Sequence, residues 1–258
     1  MNRQTGTPGD PLPRCVGVVV AGGAGQRLGK PKGLLDSGDG TFLDRAIAGL
    51  RTVGADPIFV GVDEPRGPLT SAATALGART VQVTGEGEDS LLRAGLELVW
   101  RSGSPTGDGM GSGREAPSQV EDSPVIRSRL VAMIWLPVDL PLLHADTLQA
   151  LLLAAREEAR EHGERREEIR EPEEGVLPVA LVRPTRGGRP GEPVVVLLAG
   201  GDAHSPEPWD LPVEGWVQSG VRLREVEVDD PGIHSRIRTM ADYRRHFPRV
   251  FRRRFQKW

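Results

Sequence analysis

The sequence predicts an α/β fold with a Rossmann-like, doubly wound and mostly parallel sheet. Segments with the composition of buried strands alternate with segments whose apolar residues recur at helical spacing, and this alternation is typical of βαβ units. In addition, a glycine-rich turn follows the first of these strands, at the edge where open α/β sheets bind their ligands.

The first part of the chain supplies most of the predicted parallel strands. Residues 16–20 form a valine-rich run, as in a strand buried on both faces. Residues 42–53 read as a helix because Leu43, Ile47 and Leu50 fall on one face. The elements that follow are predicted as strand 57–62, helix 69–76, strand 80–83, helix 90–100 and strand 130–136.

The second part begins with a helix at Ala145 that continues into a charged stretch, residues 157–174, expected to be a solvated helical extension with i,i+4 ion pairs. Strands are predicted at 176–182, 193–198 and 223–228 and a helix at 239–247, whereas residues 200–220 have too little periodicity to assign. Phe247, Phe251, Phe255 and Trp258 lie at helical spacing and predict an amphipathic helix over 248–258.

These elements predict a single domain over residues 15–247, preceded by a disordered N-terminus, residues 1–14. The segment 102–128 is rich in glycine, serine and proline and is predicted to be a disordered insertion.

The overall composition limits the partners and the compartment. The net charge is −3, so the chain as a whole does not attract nucleic acid or anionic membranes. The one cysteine allows no intramolecular disulfide, which fits a reducing compartment. With no apolar stretch of membrane-spanning length, we expect a cytoplasmic monomer or homodimer without nucleic-acid or membrane partners.

The glycine-rich turn after the first strand is the first candidate site. Gly22, Gly23 and Gly25 lack Cβ atoms, so their N–H groups can approach phosphate oxygens closely, and Arg27 and Lys32 follow with two positive charges. The segment is neither a Walker loop nor a regular dinucleotide fingerprint. A phosphate-binding loop is favoured over a tight turn without a ligand.

A single acid marks the second candidate site. Asp139 follows strand 130–136 directly, within Asp-Leu-Pro-Leu-Leu, so it should lie near the loop that leaves a neighbouring parallel strand. Carboxylates at such a position can hold Mg²⁺ against phosphates. The alternative is that Asp139 caps the helix beginning near Ala145 or makes a hydrogen bond within its loop.

The turn resembles the signature of the MobA-like nucleotidyltransferases, Leu-Ala-Gly-Gly-x-x-x-Arg-Met-Gly-x-x-Lys-x-Leu-Leu, with Val20 for Leu and Leu28 for Met. The segment at Asp139 is similar to that family's metal motif, Asp-x-Pro-Leu-Leu. Ser90 opens a segment that resembles the family's Ser-Leu-x-x-Gly-Leu helix start. The alternative is an ordinary helix with Ser90 as its N-cap.

The resemblance implies a fold of the nucleotide-diphospho-sugar transferase type and a Mg²⁺-dependent transfer of NMP, with pyrophosphate release. The donor would be a nucleoside triphosphate, GTP or CTP, and the phosphorylated acceptor would be of the molybdopterin type. By resemblance, Arg27, Lys32 and Asp139 are catalytic, Asp139 holds the metal, and the nucleotide is bound by Val20, Ala21, Gly22, Gly23, Gly25, Arg27, Lys32 and Ser90.

Departures from the family pattern concentrate in the acceptor-side half. Glu192 stands where one branch of the family has histidine in Gly-His-Pro, and Arg236 and Arg238 stand where it has two acids. We therefore expect an altered acceptor site, and a second metal carboxylate from this half has no support in the sequence.

Three other functions remain open. A sugar-phosphate nucleotidyltransferase would use the same donor site, and a non-catalytic nucleotide-binding regulator would keep the loop without turnover. A dinucleotide oxidoreductase would bind NAD(P) and no triphosphate. Pyrophosphate release separates the enzyme from the regulator.

Overall fold

The computed structural model describes residues 14–21, 29–82, 130–168, 177–199, 213–218 and 220–255. The strands are β1 (Arg14–Val20), β2 (Ile58–Val62), β3 (Arg79–Gln82), β4 (Leu130–Pro137), β5 (Leu177–Arg186), β6 (Arg189–Pro190), β7 (Val194–Ala199) and β8 (Arg222–Glu227). The helices are α1 (Phe42–Thr52), α2 (Pro68–Ala75), α3 (Ala145–Glu168), α4 (Val213–Gln218), α5 (Met240–His246) and α6 (Pro248–Phe255).

The eight strands form one sheet in the order β3-β2-β1-β4-β7-β5-β6, and β8 pairs with β5. Strands β1 to β4 are mutually parallel, whereas β7 runs antiparallel to both β4 and β5. The predicted fold class is confirmed as a mixed sheet whose core strands are mainly parallel.

Helices cover the two faces of the sheet, as the unbroken burial of its central strands requires. One face packs against α1 and α3 through residues such as Leu43 and Leu148. The other face carries Trp135 and is covered by the fully buried Trp216 of α4. Helix α4 lies in the segment that the sequence left unassigned, because six residues are too few for a helical period to be visible.

The charged stretch predicted as a solvated extension is helical as far as Glu168, but part of it is not solvated. Glu158 is only 4 % exposed, and its carboxylate lies 3.3 Å from Arg222 and 3.5 Å from Arg224 on β8. The correction arises because the charged face of α3 packs over an edge strand that supplies arginines. The expected i,i+4 pairing is present between Arg160 and Glu164.

Helix α5 and the residue that follows it pack onto α1, and α6 packs onto α5. The Phe247 ring lies 5.4 Å from that of Phe42, and the Phe251 ring lies 6.4 Å from that of Tyr243, centroid to centroid. Pro248 opens α6 as predicted. Within the described ranges, no helix is both long and apolar enough to cross a membrane.

Several predictions fall on residues that the structure does not describe. They concern residues 1–13, the helix at 90–100, the insertion at 102–128, the last part of the charged stretch and Trp258. They remain predictions.

Candidate functional site

The carboxyl ends of β1 and β4 place Asp139. The two strands are paired along their whole length, with Val20 opposite Pro137, and the N–H of Val138 donates to the carbonyl of Val20 at 2.9 Å. Asp139 follows immediately and is only 2 % exposed. A buried carboxylate is costly unless it is paired, so its partners define the site.

Lys32 is the first partner of Asp139. It begins a short 3₁₀ helix, Lys32–Leu34, and its Nζ lies 2.8 Å from Asp139 Oδ2. Next to it, Gly33 packs closely, since a Cβ there would lie 2.7 Å from Leu69 Cδ1 and 3.5 Å from Val138 Cγ2.

Arg236 is the second partner, and it comes from the C-terminal part of the chain. Its Nε donates to Asp139 Oδ1 at 3.0 Å, and the N–H of the buried Ile237 donates to the main-chain carbonyl of Asp139 at 2.8 Å. Both oxygens of the Asp139 carboxylate are thus bound by cations. This second contact was missed in the sequence, where Arg236 was noted only as a departure from a family pattern.

The alternative function of Asp139, capping of α3, is wrong. Asp230 lies at the start of α3 instead, and its Oδ2 accepts from the N–H of His144 at 2.8 Å and from Thr147 Oγ1 at 2.7 Å. Sequence spacing could not reveal this contact, because Asp230 is 83 residues from Thr147. Asp230 ties the segment that carries Arg236 to the loop that carries Asp139.

Glu192 completes the cluster. It precedes β7, and its N–H donates to the carbonyl of Ile233 at 3.1 Å. Its Oε1 accepts from Arg236 Nη1 at 3.4 Å, and its Oε2 lies 3.4 Å from Arg236 Nε. Two of the departures from the family pattern, Glu192 and Arg236, are therefore in contact with each other. The third, Arg238, is exposed, and its N–H donates to Asp242.

The other predicted nucleotide-binding residues are only partly placed. Val20 and Ala21 are buried at the end of β1, beside the loop that carries Asp139. The predictions for Gly22, Gly23, Gly25, Arg27 and Ser90 lie outside the described residues.

The donor set fits a hard divalent cation bound through few protein ligands. Asp139 supplies a carboxylate, the ligand type that Mg²⁺ prefers, and Mg²⁺ commonly completes its shell with water and substrate phosphates. Among the described residues, no group of three or more acid, histidine or cysteine side chains could form an all-protein cage. Lys32 and Arg236 add positive charge that could bind phosphates.

Comparison with solved structures shows the same overall fold at low sequence identity. A Mycobacterium sp. strain JC1 homologue of the Mycobacterium tuberculosis protein Rv0371c aligns at a TM-score of 0.53 and 20% identity, covering 93% of this chain and 98% of that one. A nucleotidyl transferase from Methanothermobacter aligns at a TM-score of 0.51 and 20% identity, covering 93% and 99%. No curated protein sequence matches the chain significantly.

Membership of a family follows from the sequence match. The MobA-like NTP transferase domain matches residues 17–201, which is well over half of the chain. The matched range contains Lys32, Asp139 and Glu192, whereas Arg236 lies beyond it. The chain therefore belongs to the MobA-like NTP transferase family and is a nucleotidyltransferase.

Proposed function

We propose that this nucleotidyltransferase transfers NMP from a nucleoside triphosphate to a phosphorylated small molecule, with Mg²⁺ held at Asp139. An oxygen of the acceptor phosphate attacks the α-phosphorus, the bond between that phosphorus and the α–β bridging oxygen breaks, and pyrophosphate leaves with the electron pair. The contact between Lys32 and Asp139 at the ends of β1 and β4 carries the proposal, because it puts a phosphate-binding cation beside a metal-binding acid.

The residues of this chain would act by position and charge. Lys32, with Arg27 from the glycine loop, would bind the β- and γ-phosphates and stabilise the charge that develops on the departing pyrophosphate. Mg²⁺, when bound, would neutralise charge on the triphosphate. No protein base is needed, since a phosphate acceptor is already ionised, so alignment of the two substrates supplies most of the remaining rate.

The acceptor is proposed to be of the molybdopterin type, on the strength of the family resemblance. A sugar phosphate is the second candidate, since it would use the same donor site.

The test has two steps. The thermal stability of the full chain is first measured with each of the four common NTPs and Mg²⁺, since a ligand at a hundred times its Kd should stabilise by about 2.7 kcal/mol. Pyrophosphate release is then measured with the stabilising NTP and a set of molybdopterin-type and sugar-phosphate acceptors. Stabilisation without release on any acceptor would favour a nucleotide-binding regulator, and stabilisation by NAD(P) alone would defeat the proposal.

A further inference from the structure

Arg236 is shared between two carboxylates. Its Nε lies 3.0 Å from Asp139 Oδ1 and 3.4 Å from Glu192 Oε2. The side chains differ in burial, with Asp139 at 3%, Arg236 at 15% and Glu192 at 23% exposed. The guanidinium therefore lies between a buried acid and a more accessible one.

A metal ion and this guanidinium compete for Asp139. A divalent cation on the Asp139 carboxylate would repel both cations that bind it, Lys32 on Oδ2 and Arg236 on Oδ1. Arg236 would withdraw from Oδ1, and a withdrawn, partly buried cation is costly unless a second acid receives it. Glu192 already accepts from the other side of the same guanidinium.

Backbone hydrogen bonds connect the segments that carry Asp139, Arg236 and Glu192. A movement of the Arg236 side chain is therefore enough for it to change from one acid to the other. The N–H of Ile237 holds the carbonyl of Asp139 at 2.8 Å, and the N–H of Glu192 holds the carbonyl of Ile233 at 3.1 Å. Gly191 also packs closely against Ile233: a Cβ at position 191 would lie 2.7 Å from Ile233 Cγ1. These contacts keep Glu192 within reach of Arg236 whichever acid the arginine binds.

We propose that Glu192 is a positioning residue that receives Arg236 when Asp139 binds a divalent cation. Arg236 weakens metal binding by occupying Asp139, and Glu192 strengthens it by holding the displaced arginine. The pair thereby sets the metal concentration at which the site fills. This inference rests on the proposed function in one respect, that Asp139 is the metal ligand.

The experiment is a titration of the full chain with Mn²⁺, followed by electron paramagnetic resonance of the free ion, with and without the stabilising NTP. Wild type is compared with Arg236→Gln, Glu192→Gln and the double variant. Arg236→Gln should lower the Kd for Mn²⁺ by about tenfold, as expected for the loss of a competing charge. Glu192→Gln should raise it by about threefold to tenfold, within the range of couplings between contacting residues.

The double variant separates this proposal from direct ligation by Glu192. If Glu192 acts only through Arg236, Glu192→Gln should change the Kd by no more than about twofold once Arg236 has been replaced. An equal weakening in both backgrounds would make Glu192 a metal ligand and overturn the proposal, as would an Arg236→Gln variant that binds Mn²⁺ no tighter than wild type.

Two controls keep the result interpretable. Arg183→Gln breaks a comparable arginine–glutamate pair, Arg183 with Glu225 at 2.9 Å on β5 and β8, and should leave Mn²⁺ binding unchanged. Arg236→Lys retains the charge and should bind Mn²⁺ like wild type. If Arg236→Gln does not fold, the uncharged Arg236→Met takes its place in the comparison with Glu192→Gln. A wild type that binds no Mn²⁺ even with NTP defeats the metal function of Asp139 and this inference together, whereas unchanged affinities in all variants defeat the inference alone.

Discussion

Asp139 is a buried acid whose charge is needed by two cations, Lys32 at 2.8 Å and Arg236 at 3.0 Å. Asp139→Asn keeps the shape of the side chain but removes its charge. We expect a folded protein whose metal-dependent pyrophosphate release falls by at least about a hundredfold, because a bound ion contributes several kcal/mol of charge stabilisation. Circular dichroism checks the fold, and near-normal turnover in the folded variant would contradict the assignment.

Lys32 is expected to act on the phosphates as well as on Asp139. Lys32→Ala should lower the rate by about 10² to 10³, the cost of one lost charge-stabilising donor. Lys30 is the matched control, since it lies two residues away and its Nζ binds the carbonyl of Leu34. Single-turnover rates for Lys32→Ala and Lys30→Ala decide the prediction, and equal rates would make Lys32 a structural partner only.

The sequence predicted some of these residues and not others, for a physical reason. Lys32 and Asp139 each lie within a local motif next to a predicted strand, and the resemblance of both motifs to those of a known family singled them out. The contact of Arg236 with Asp139 joins residues 97 positions apart, and its contact with Glu192 spans 44. Such contacts depend on how distant elements pack, which local periodicity does not encode.

At the scale of elements, α5 begins with a capping box formed by Thr239 and Asp242. The pKa of Asp242 lies below its ordinary value of 3.8, mainly because its carboxylate accepts a hydrogen bond from the Thr239 hydroxyl. The backbone N–H groups of Thr239 and Arg238 also donate to this carboxylate and lower its pKa further. A lowered pKa in the folded state means that the ionised carboxylate stabilises the fold above pH 4 or so and that this contribution is lost as the pH falls through the folded-state pKa.

Asp242→Asn should therefore lower the free energy of unfolding at pH 7, by an amount that shrinks as the pH is lowered below about 4. Urea denaturation at pH 7 and pH 3 measures both values. Asp229→Asn serves as the control, because its carboxylate is 97% exposed and its pair with Arg186 is at the surface. If the difference in free energy of unfolding between wild type and Asp242→Asn stays constant with pH, the charge of Asp242 is not what stabilises the helix.

Gly232 fixes the distance between the C-terminal segment and the loop of Asp139. A Cβ at Gly232 would lie 2.4 Å from the main-chain oxygen of Leu142, and backbone cannot give way as a flexible side chain can. Gly232→Ala should cost about 1–3 kcal/mol of stability, as overpacking does. The control Gly163→Ala, in α3 with no atom within 4 Å of the added Cβ, should instead stabilise by roughly 0.5–1 kcal/mol. Equal melting temperatures for the two variants would contradict the prediction.

At the scale of the whole molecule, the C-terminal helix α6 completes the core rather than lying beside it. Val250 is buried, and Phe251 packs near Tyr243. Removing the chain after Phe247 should destabilise the protein by about 2–4 kcal/mol, from the lost burial of these side chains, and expose an apolar surface that promotes association. Thermal melting and light scattering test this, with the exposed Arg252→Ala as a control. An unchanged melting temperature and solubility would show that α6 is dispensable.

The positions of the strands could be predicted from composition, but the direction of every strand could not. Unbroken apolar runs identified β1 and β4, and the alternation with helices indicated that they are parallel. Strand β7 is buried along its whole length, and an unbroken apolar run reads the same in either direction, so its antiparallel pairing with β4 was not foreseen. The edge strand β8 is exposed or half-buried throughout, and its contact with α3 joins residues 61 positions apart in sequence.

The contact between Glu192 and Arg236 also bears on how this chain could have diverged from its relatives. An acid at position 236 together with Glu192 would put three carboxylates, these two and that of Asp139, at the end of β4. An arginine at 236 without Glu192 would have to share Asp139 with the metal ion. We therefore expect the two positions to change together over descent. Relatives with glutamate at the position of Glu192 should carry arginine or lysine at the position of Arg236. Relatives with an acid at the position of Arg236 should have no acid at the position of Glu192.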